Sequence, residues 1–199
     1  LRELVRQVWH TLFPPRRAVS RDARKREIGR ILSRLGYVYY FTDSLKLLAT
    51  HLLHMNYLEK HHVIDELGQA YSNHGPVCAT LPLFGRSVRY AQRSLAIRQE
   101  LGDRWGLAGA LDNLGILQHR RGRSSEARRL LAEAVRLRRE LGDRTGVVDS
   151  LLSLAVVEES LSAPAAALAC AREALAAAEG RSEAAPVAPS AAACGFMIT

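Results

Sequence analysis

Histidines are concentrated between residues 51 and 74, and imidazole is the commonest side chain that binds transition metals in proteins. His51 and His54 are three residues apart and would share one face of a helix. A zinc site needs four ligands, and no cysteine lies near this pair, so Asp65 or Glu66 would have to supply oxygen. Hydrogen-bonded histidines on a partly buried helix are the more ordinary interpretation, and we predict no metal site. The candidates are His51, His54, His61, His62 and His74.

A thiol–imidazole pair is the second chemistry that the residue types offer, because Cys78 follows His74 by four residues. Pro76 lies between them and predicts a break in the helix, and a nucleophilic pair also needs a third group that orients the base. Cys170 and Cys194 lie far away, so the three cysteines form neither a disulfide framework nor a zinc set. This usage favours a reducing, cytoplasmic location.

Sequence patterns of common enzyme classes are absent. The chain has no Gly-Lys dipeptide and hence no phosphate-binding loop of the Walker type. It also lacks His-Glu-x-x-His, Gly-x-Ser-x-Gly and Gly-x-Gly-x-x-Gly. We therefore predict that the chain is not an enzyme and that it carries no cofactor. No stretch is long and apolar enough for a transmembrane helix, so we expect no membrane partner.

An internal repeat predicts the architecture. The segment 101–106, Leu-Gly-Asp-Arg-Trp-Gly, recurs at 141–146 as Leu-Gly-Asp-Arg-Thr-Gly, a shift of forty residues, and the similarity continues on both sides. In each copy the glycine can end one helix in the left-handed conformation, and the aspartate can cap the next. Repeats of this size are typical of stacked helical units, so we predict an all-α fold.

Each unit is predicted to contain two helices with small residues where they approach. Leu107, Leu111 and Leu114 have helical spacing, and the turn 121–123 precedes a second helix that Ser124 or Ser125 would cap. The pattern of large apolar, Leu-Gly, turn Gly, Ala, large apolar and Ala resembles the tetratricopeptide repeat family over about residues 65–180. It is carried by Leu111, Leu114, Gly115, Gly122, Ala127, Leu131 and Ala134, and less closely by Leu151, Leu154, Ala155, Ser162, Ala167, Ala171 and Ala174.

The resemblance implies a right-handed α–α superhelix whose first helices line a concave groove for a protein or peptide partner. A neighbouring domain of the same chain could also occupy it. Asp112 and Asp149 would then hold a cationic side chain, and Asn113 would bond a peptide backbone; the alternative is that these residues are merely solvated. The implied groove positions are Asp112, Asn113, Ile116, His119 and Arg120, then Asp149, Leu152, Ser153, Val156 and Glu159.

Residues 1–64 are also predicted to be helical, either as a degenerate repeat or as a linker to a further domain. Asp22 would cap a helix with Ile28, Ile31, Leu32 and Leu35 facing inward. The stretches 36–41 and 65–75 resemble part of large bacterial signalling ATPases and kinases that carry such repeats. That resemblance, and a first residue that is not Met, suggest a fragment of a longer bacterial protein involved in signal transduction.

Positive charge is concentrated near the start of the sequence. Residues 1–36 contain ten Lys and Arg against three Asp and Glu, which gives most of the formal net charge of +8. The favoured function is a protein–protein interaction scaffold, and the alternative is a basic helical module that binds nucleic acid through residues 16–34. We consider nucleic acid the less favoured partner. The Ala/Pro-rich tail, residues 181–199, is expected to be disordered.

Overall fold

The computed structural model describes residues 2–13, 20, 22–79 and 84–182. Within these ranges the chain is all-α, as predicted, and none of the described residues forms a strand. None of the helices described is long and apolar enough to cross a membrane. The helices are α1 (Arg2–Leu12), α2 (Ala23–Tyr40), α3 (Ser44–His61), α4 (Ile64–Ala79), α5 (Phe84–Glu100), α6 (Arg104–Arg120), α7 (Ser124–Leu141), α8 (Arg144–Ser160) and α9 (Pro164–Ser182).

From α2 onward the helices form consecutive hairpins: α2 with α3, α4 with α5, α6 with α7 and α8 with α9. The second helix of each hairpin packs on the first helix of the next, and the first helices α2, α4, α6 and α8 also lie side by side in one layer. This is the predicted right-handed α–α superhelix of helical hairpins. α1 stands outside the alternation, because it packs on α3.

The two Leu-Gly-Asp corners lie at equivalent bends between hairpins. Gly102 and Gly142 have φ angles of 65° and 70°, which a residue without Cβ adopts at little cost. Asp103 and Asp143 are the N-caps of α6 and α8, and each accepts a hydrogen bond from the backbone N–H three residues later at 2.9 Å. The repeat register read from the sequence is therefore confirmed.

Inside the α6–α7 hairpin, a glycine lets the helices approach closely. A Cβ built on Gly115 would lie 2.8 Å from Cγ of Leu131, closer than two carbon atoms can approach without displacement. Leu131 is fully buried, and Ala127 and Ala134 beside it are buried as well. Leu114 is also buried. The small and large positions of the predicted pattern therefore interlock as expected.

Truncating this core should destabilise the fold. We expect Leu131→Ala to lower the free energy of unfolding by about 3 kcal/mol, because the side chain leaves a cavity that close-packed helices fill only in part. Urea melts of the wild-type and variant chains measure the difference. The control Ala132→Gly, on the exposed side of α7, should cost only about 1 kcal/mol through helix propensity, and an equal cost for the two variants would contradict tight packing around Leu131.

Two predicted helix boundaries are wrong. α4 continues through Pro76 to Ala79, so the expected break between His74 and Cys78 does not occur; the side chain of Cys78 lies outside the described residues. The N-cap of α7 is Arg123, which makes no side-chain cap hydrogen bond. Ser124 is instead the first helical residue, and its hydroxyl contacts the side chains of His119 and Ser160.

The prediction for the inward face of α2 is also wrong. Ile28, Ile31 and Leu35 are exposed, and Leu32 is half-buried. The helical spacing correctly indicated one apolar stripe, but α2 lies at the end of the array, where its inward face is centred on Gly29 against Leu58 of α3. At the other end, α9 extends through Ser182, and residues 183–199 of the predicted tail lie outside the described residues.

Ser162 offers a small gain in stability. It occupies the turn between α8 and α9 with φ of 57°, where the preceding repeat has Gly122 at 75°. The left-handed conformation costs a residue with a Cβ roughly 1 kcal/mol relative to glycine. Ser162→Gly should therefore raise the free energy of unfolding by about 0.5–1 kcal/mol. Thermal melts measure the change. Ser160→Gly, within α8, should lower stability instead, and a similar gain there would contradict the reasoning.

Candidate functional site

A buried ionic network fixes the relation between α6, α7 and α8. Arg138 of α7 donates from Nε and Nη2 to Oδ2 of Asp112 on α6, at 2.9 and 2.5 Å, and from Nη1 to Oδ2 of Asp143 at 2.5 Å. The hydroxyl of Ser150 on α8 donates to Oδ1 of Asp112 at 2.7 Å. Burial raises the pKa of Asp112. Burial opposes the charge of Arg138 too, but the two carboxylates outweigh it and raise the pKa of the guanidinium.

The network determines what Asp112 can do. Its carboxylate is buried and already holds a cationic side chain, which comes from this chain and not from a partner. The adjacent Asn113 is half-buried, and Ile116 is half-buried one turn further along α6. Asp112 therefore orients α6 against α8, while Asn113 and Ile116 are only partly open to solvent.

The other predicted groove residues divide between exposed and locally bonded side chains. Arg120 and Glu159 are exposed. The ring of His119 lies with Nδ1 3.2 Å from the hydroxyl of Ser124, and the hydroxyl of Ser153 donates to the backbone carbonyl of Asp149 at 3.1 Å. Asp149 itself is half-buried. These positions share one side of each helix, as their spacing of three and four residues requires.

An apolar row runs along the same side of α8. Leu152 and Val156 lie on the first helix of the last described hairpin and are 50% and 42% exposed. Ile116, at the equivalent position of α6, is half-buried, and α6 packs beside α8. We call this surface the α6–α8 face. It comprises Asn113, Ile116, His119 and Arg120 of α6, with Asp149, Leu152, Ser153, Val156 and Glu159 of α8.

The histidines do not converge on one point. His51 and His74 contact each other, with Nε2 of the first 2.9 Å from Nδ1 of the second, and Arg86 donates to Nε2 of His74 at 3.3 Å. His61 lies against the ring of Tyr57, and His62 ends α3 with φ of 51°. Among the described residues no group of three His, Cys, Asp or Glu side chains is placed to hold a metal ion.

A second polar cluster, which the sequence did not reveal, surrounds the buried carboxylate of Glu59. Tyr71 donates its hydroxyl to Oε1 of Glu59 at 3.0 Å, and His10 of α1 lies with Nδ1 2.7 Å from Oε2. Burial, and then the adjacent carboxylate, raise the pKa of Tyr71. One signal was available, because Glu59 falls on the same helical face as Leu52 and Met55, which are buried.

A cleft of about 370 Å³ lies beside this cluster, between α3, α4 and α5. Its wall has both charge signs, from Glu59, Glu100 and Arg93, and also contains apolar side chains. Arg93 also lies over the ring of Tyr90, 5.2 Å from its centroid. The mixed wall favours no single ligand class, so the cleft is a weaker candidate than the α6–α8 face.

Some of the basic side chains near the start of the chain form ion pairs with a neighbouring helix. Arg26 and Arg30 of α2 form ion pairs with Asp65 and Glu66 of α4, at 3.0 and 2.9 Å. Arg24 and Arg34 are exposed. Arg16 and Arg17, which the nucleic-acid alternative also needs, lie outside the described residues. The charge that remains for a phosphate backbone is therefore smaller than the composition suggests.

Comparisons with known proteins agree with this architecture. Residues 66–140 match the tetratricopeptide repeat family model. The match begins within α4 and ends within α7, so it covers nearly all of the α4–α5 and α6–α7 hairpins and the first Leu-Gly-Asp corner between them. The tetratricopeptide resemblance inferred from the sequence is confirmed for this part of the chain.

A solved structure extends the likeness beyond the tetratricopeptide segment. The crystal structure of BtubC (BKLC) from P. vanneervenii matches with a TM-score of 0.71 and 18% identity, over 86% of this chain and 71% of that one. At this identity the likeness shows the fold alone. A comparison with curated proteins finds no match. Tetratricopeptide repeats generally mediate protein–protein interaction, which supports a scaffold role.

Proposed function

We propose that the chain is an interaction scaffold that binds a peptide, or a neighbouring domain, on the α6–α8 face. The observation that carries the proposal is the exposed apolar pair Leu152 and Val156, which lie one turn apart on the same side of α8. These two side chains contribute little to the packing of the described helices, because the buried side chains of α8 are others, such as Leu151 and Leu154. Burying them under a ligand would release ordered water.

The surrounding polar groups give the face its selectivity. Arg120 and Glu159 offer opposite charges at its edge, and Asn113 offers both a donor and an acceptor to a peptide backbone. Asp112 of α6 accepts a hydrogen bond from Ser150 of α8 and pairs with Arg138 of α7, which fixes α6 against α8, so that little ordering entropy is lost on binding. A short segment with one or two apolar anchors between polar residues suits this face.

Selection of a twelve-residue peptide library displayed on phage against the chain tests the proposal. The strongest peptide should bind Leu152→Asp and Val156→Asp at least tenfold more weakly, by isothermal titration. The matched control is the pair Leu168→Asp and Leu175→Asp on α9, which are equally exposed and lie outside the face. Unchanged affinity in the α8 variants, or lost affinity in the α9 variants, would place binding elsewhere.

We further propose that the repeats are the arm of a larger bacterial signalling ATPase or kinase, in which the α6–α8 face contacts a regulatory partner. The resemblance of residues 36–41 and 65–75 to such proteins supports this context. The adjoining coding sequence tests it, since a nucleotide-binding domain in the same reading frame is required. A reading frame without one would exclude the ATPase and kinase context while leaving the scaffold role intact.

A further inference from the structure

α1 is attached to the array through its polar side. Gln7 is fully buried and donates from Nε2 to the hydroxyl of Tyr90 at 2.9 Å and to Glu59 at 3.3 Å. His10 contacts Glu59 at 2.7 Å, and Asn56 of α3 donates to Oε2 of Glu3 at 2.8 Å. These contacts hold α1 on α3 and α5 by hydrogen bonds and charge.

The apolar side of α1 consequently faces solvent. Leu4, Val5, Val8 and Trp9 are between 46% and 61% exposed, and the ring of Phe13 lies 4.6 Å from that of Trp9, also exposed. An amphipathic helix normally buries its apolar stripe against the core of its own domain. The reversed orientation of α1 leaves an apolar surface that the described part of the chain does not cover.

A second apolar stripe is exposed on α2. Ile28, Ile31, Leu35 and Val38 follow one another at intervals of three, four and three residues, and they are between 38% and 55% exposed. This spacing is that of a helix-pairing seam. The inward side of α2 packs on α3 and α4, so among the described helices none covers this stripe.

The two stripes match in length and offer enough area for an interface. Each extends over about ten residues, or roughly 15 Å of helix. Nine side chains of this size, each about half exposed, offer roughly 100 Å² apiece, so one chain presents about 900 Å² in all. A stable interface of standard size buries about 800 Å² per partner.

We propose that a second copy of the chain covers these stripes, with α1 of each copy packing on α2 of the other. The arrangement is a closed two-fold dimer in which both exposed stripes of both copies are buried. α1 does not have to leave α3 for this, because its polar side keeps its contacts with Glu59 and Tyr90. The proposal is independent of the peptide-binding α6–α8 face.

The charge near the start of the chain distinguishes a second copy from a polyanionic partner, because salt affects the two kinds of binding in opposite directions. Residues 1–36 carry a net charge of +7, and the ion pairs of Arg26 with Asp65 and of Arg30 with Glu66 offset two of these charges, so two copies still repel each other at this end and apolar contact must overcome the repulsion. Salt screens that repulsion and should strengthen the dimer, whereas salt weakens binding of the same basic surface to anionic lipid or nucleic acid. The sign of the salt effect therefore separates a second copy from a polyanion.

Sedimentation velocity from about 1 to 100 µM, in about 50 and 500 mM sodium chloride, tests the proposal. We expect a concentration-dependent dimer that is several-fold tighter at high salt. The double variants Val5→Asp with Val8→Asp on α1, and Ile31→Asp with Leu35→Asp on α2, should each weaken it at least tenfold while circular dichroism stays unchanged. The control Leu168→Asp with Leu175→Asp on α9 should dimerise like the wild type.

Mixing the α1 and α2 variants tests the pairing itself. A mixed pair keeps one intact contact, between α1 of the α2 variant and α2 of the α1 variant, so dimer should partly reappear. Pairing of α1 with α1 would give no recovery and would overturn the arrangement. A monomer at all concentrations, loss of the dimer in the α9 control, or flotation with phosphatidylglycerol vesicles that abolishes the dimer would overturn the second copy as partner.

Discussion

Replacing Arg138 with alanine should lower the free energy of unfolding by about 3–5 kcal/mol, a large fraction of the stability of a domain this size. The substitution leaves the buried carboxylate of Asp112 with a single donor, the hydroxyl of Ser150, and removes the counter-charge that keeps it ionised. It also frees the N-cap residue Asp143. Urea unfolding followed by circular dichroism measures the loss.

The neighbouring Arg139 provides a matched control. It is exposed and forms an ion pair with Glu173 of α9 at the surface, where such pairs contribute little. Arg139→Ala should therefore change stability by less than about 0.5 kcal/mol. The double variant Asp112→Ala with Arg138→Ala should cost less than the sum of the single changes, because neither partner is left alone. Equal losses for Arg138→Ala and Arg139→Ala would contradict the buried network.

The same network explains why the two corners share a second glycine. A Cβ on Gly146 would lie 1.7 Å from Nη1 of Arg138 and 2.1 Å from Oδ2 of Asp143. Any residue with a Cβ at this position would therefore displace the guanidinium from its contact with Asp143. At the preceding corner Gly106 has the same relation to Arg98 and Asp103, which also form an ion pair. Each bend between hairpins therefore contains, in addition to its turn, an arginine–aspartate ion pair that packs over a glycine.

Sequence alone predicted the parts of the fold that depend on local order. The forty-residue shift, the left-handed glycines and the capping aspartates each involve residues close together in the chain, and all are confirmed. The ion pair between Arg138 and Asp112 was missed because the two residues lie twenty-six positions apart in the chain. The arginine–aspartate pair at each bend was also missed, although one signal was present: Arg98 and Arg138 precede the two capping aspartates by five residues each.

The spacing of apolar residues did not predict which side of a helix would be buried. Spacing shows that Ile28, Ile31 and Leu35 share one side of α2, but it does not show which side another helix will cover. In an array, that depends on the position of the hairpin, and α2 lies where the described array begins. For the α6–α8 face, the sequence indicated which positions share a side, while burial of Asp112 depended on a partner from α7.

Acid should destabilise the chain well before its carboxylates are protonated. Burial lowers the pKa of His51 to about 3, of His54 to about 4 and of His74 to about 2. The neighbouring His54 adds to the lowering of the pKa of His51, and His51 and Arg86 of α5 add to the lowering of the pKa of His74. All three rings are therefore neutral in the folded chain at neutral pH, and none gains from taking up a proton.

The direction and size of the effect follow from linkage. The unfolded chain protonates these histidines near pH 6.5, whereas the folded chain does so only near the lowered values, so stability is complete above about pH 6.5 and falls below it. Between pH 7.5 and 5 each ring costs about 2 kcal/mol of unfolding free energy, or about 6 kcal/mol for three independent rings. The loss stops when the pH reaches the pKa values of the folded state.

Urea melts at pH 7.5, 6 and 5 measure this loss. The variant His51→Gln with His74→Gln removes two of the buried titrating rings and should reduce the decline between pH 7.5 and 5 to about one third, whatever its stability at pH 7.5. His61→Gln, whose ring is only half-buried against Tyr57, should keep the full decline. If the double variant declined as steeply as the wild type, the acid sensitivity would come from other groups, and the neutral, buried imidazoles would not explain it.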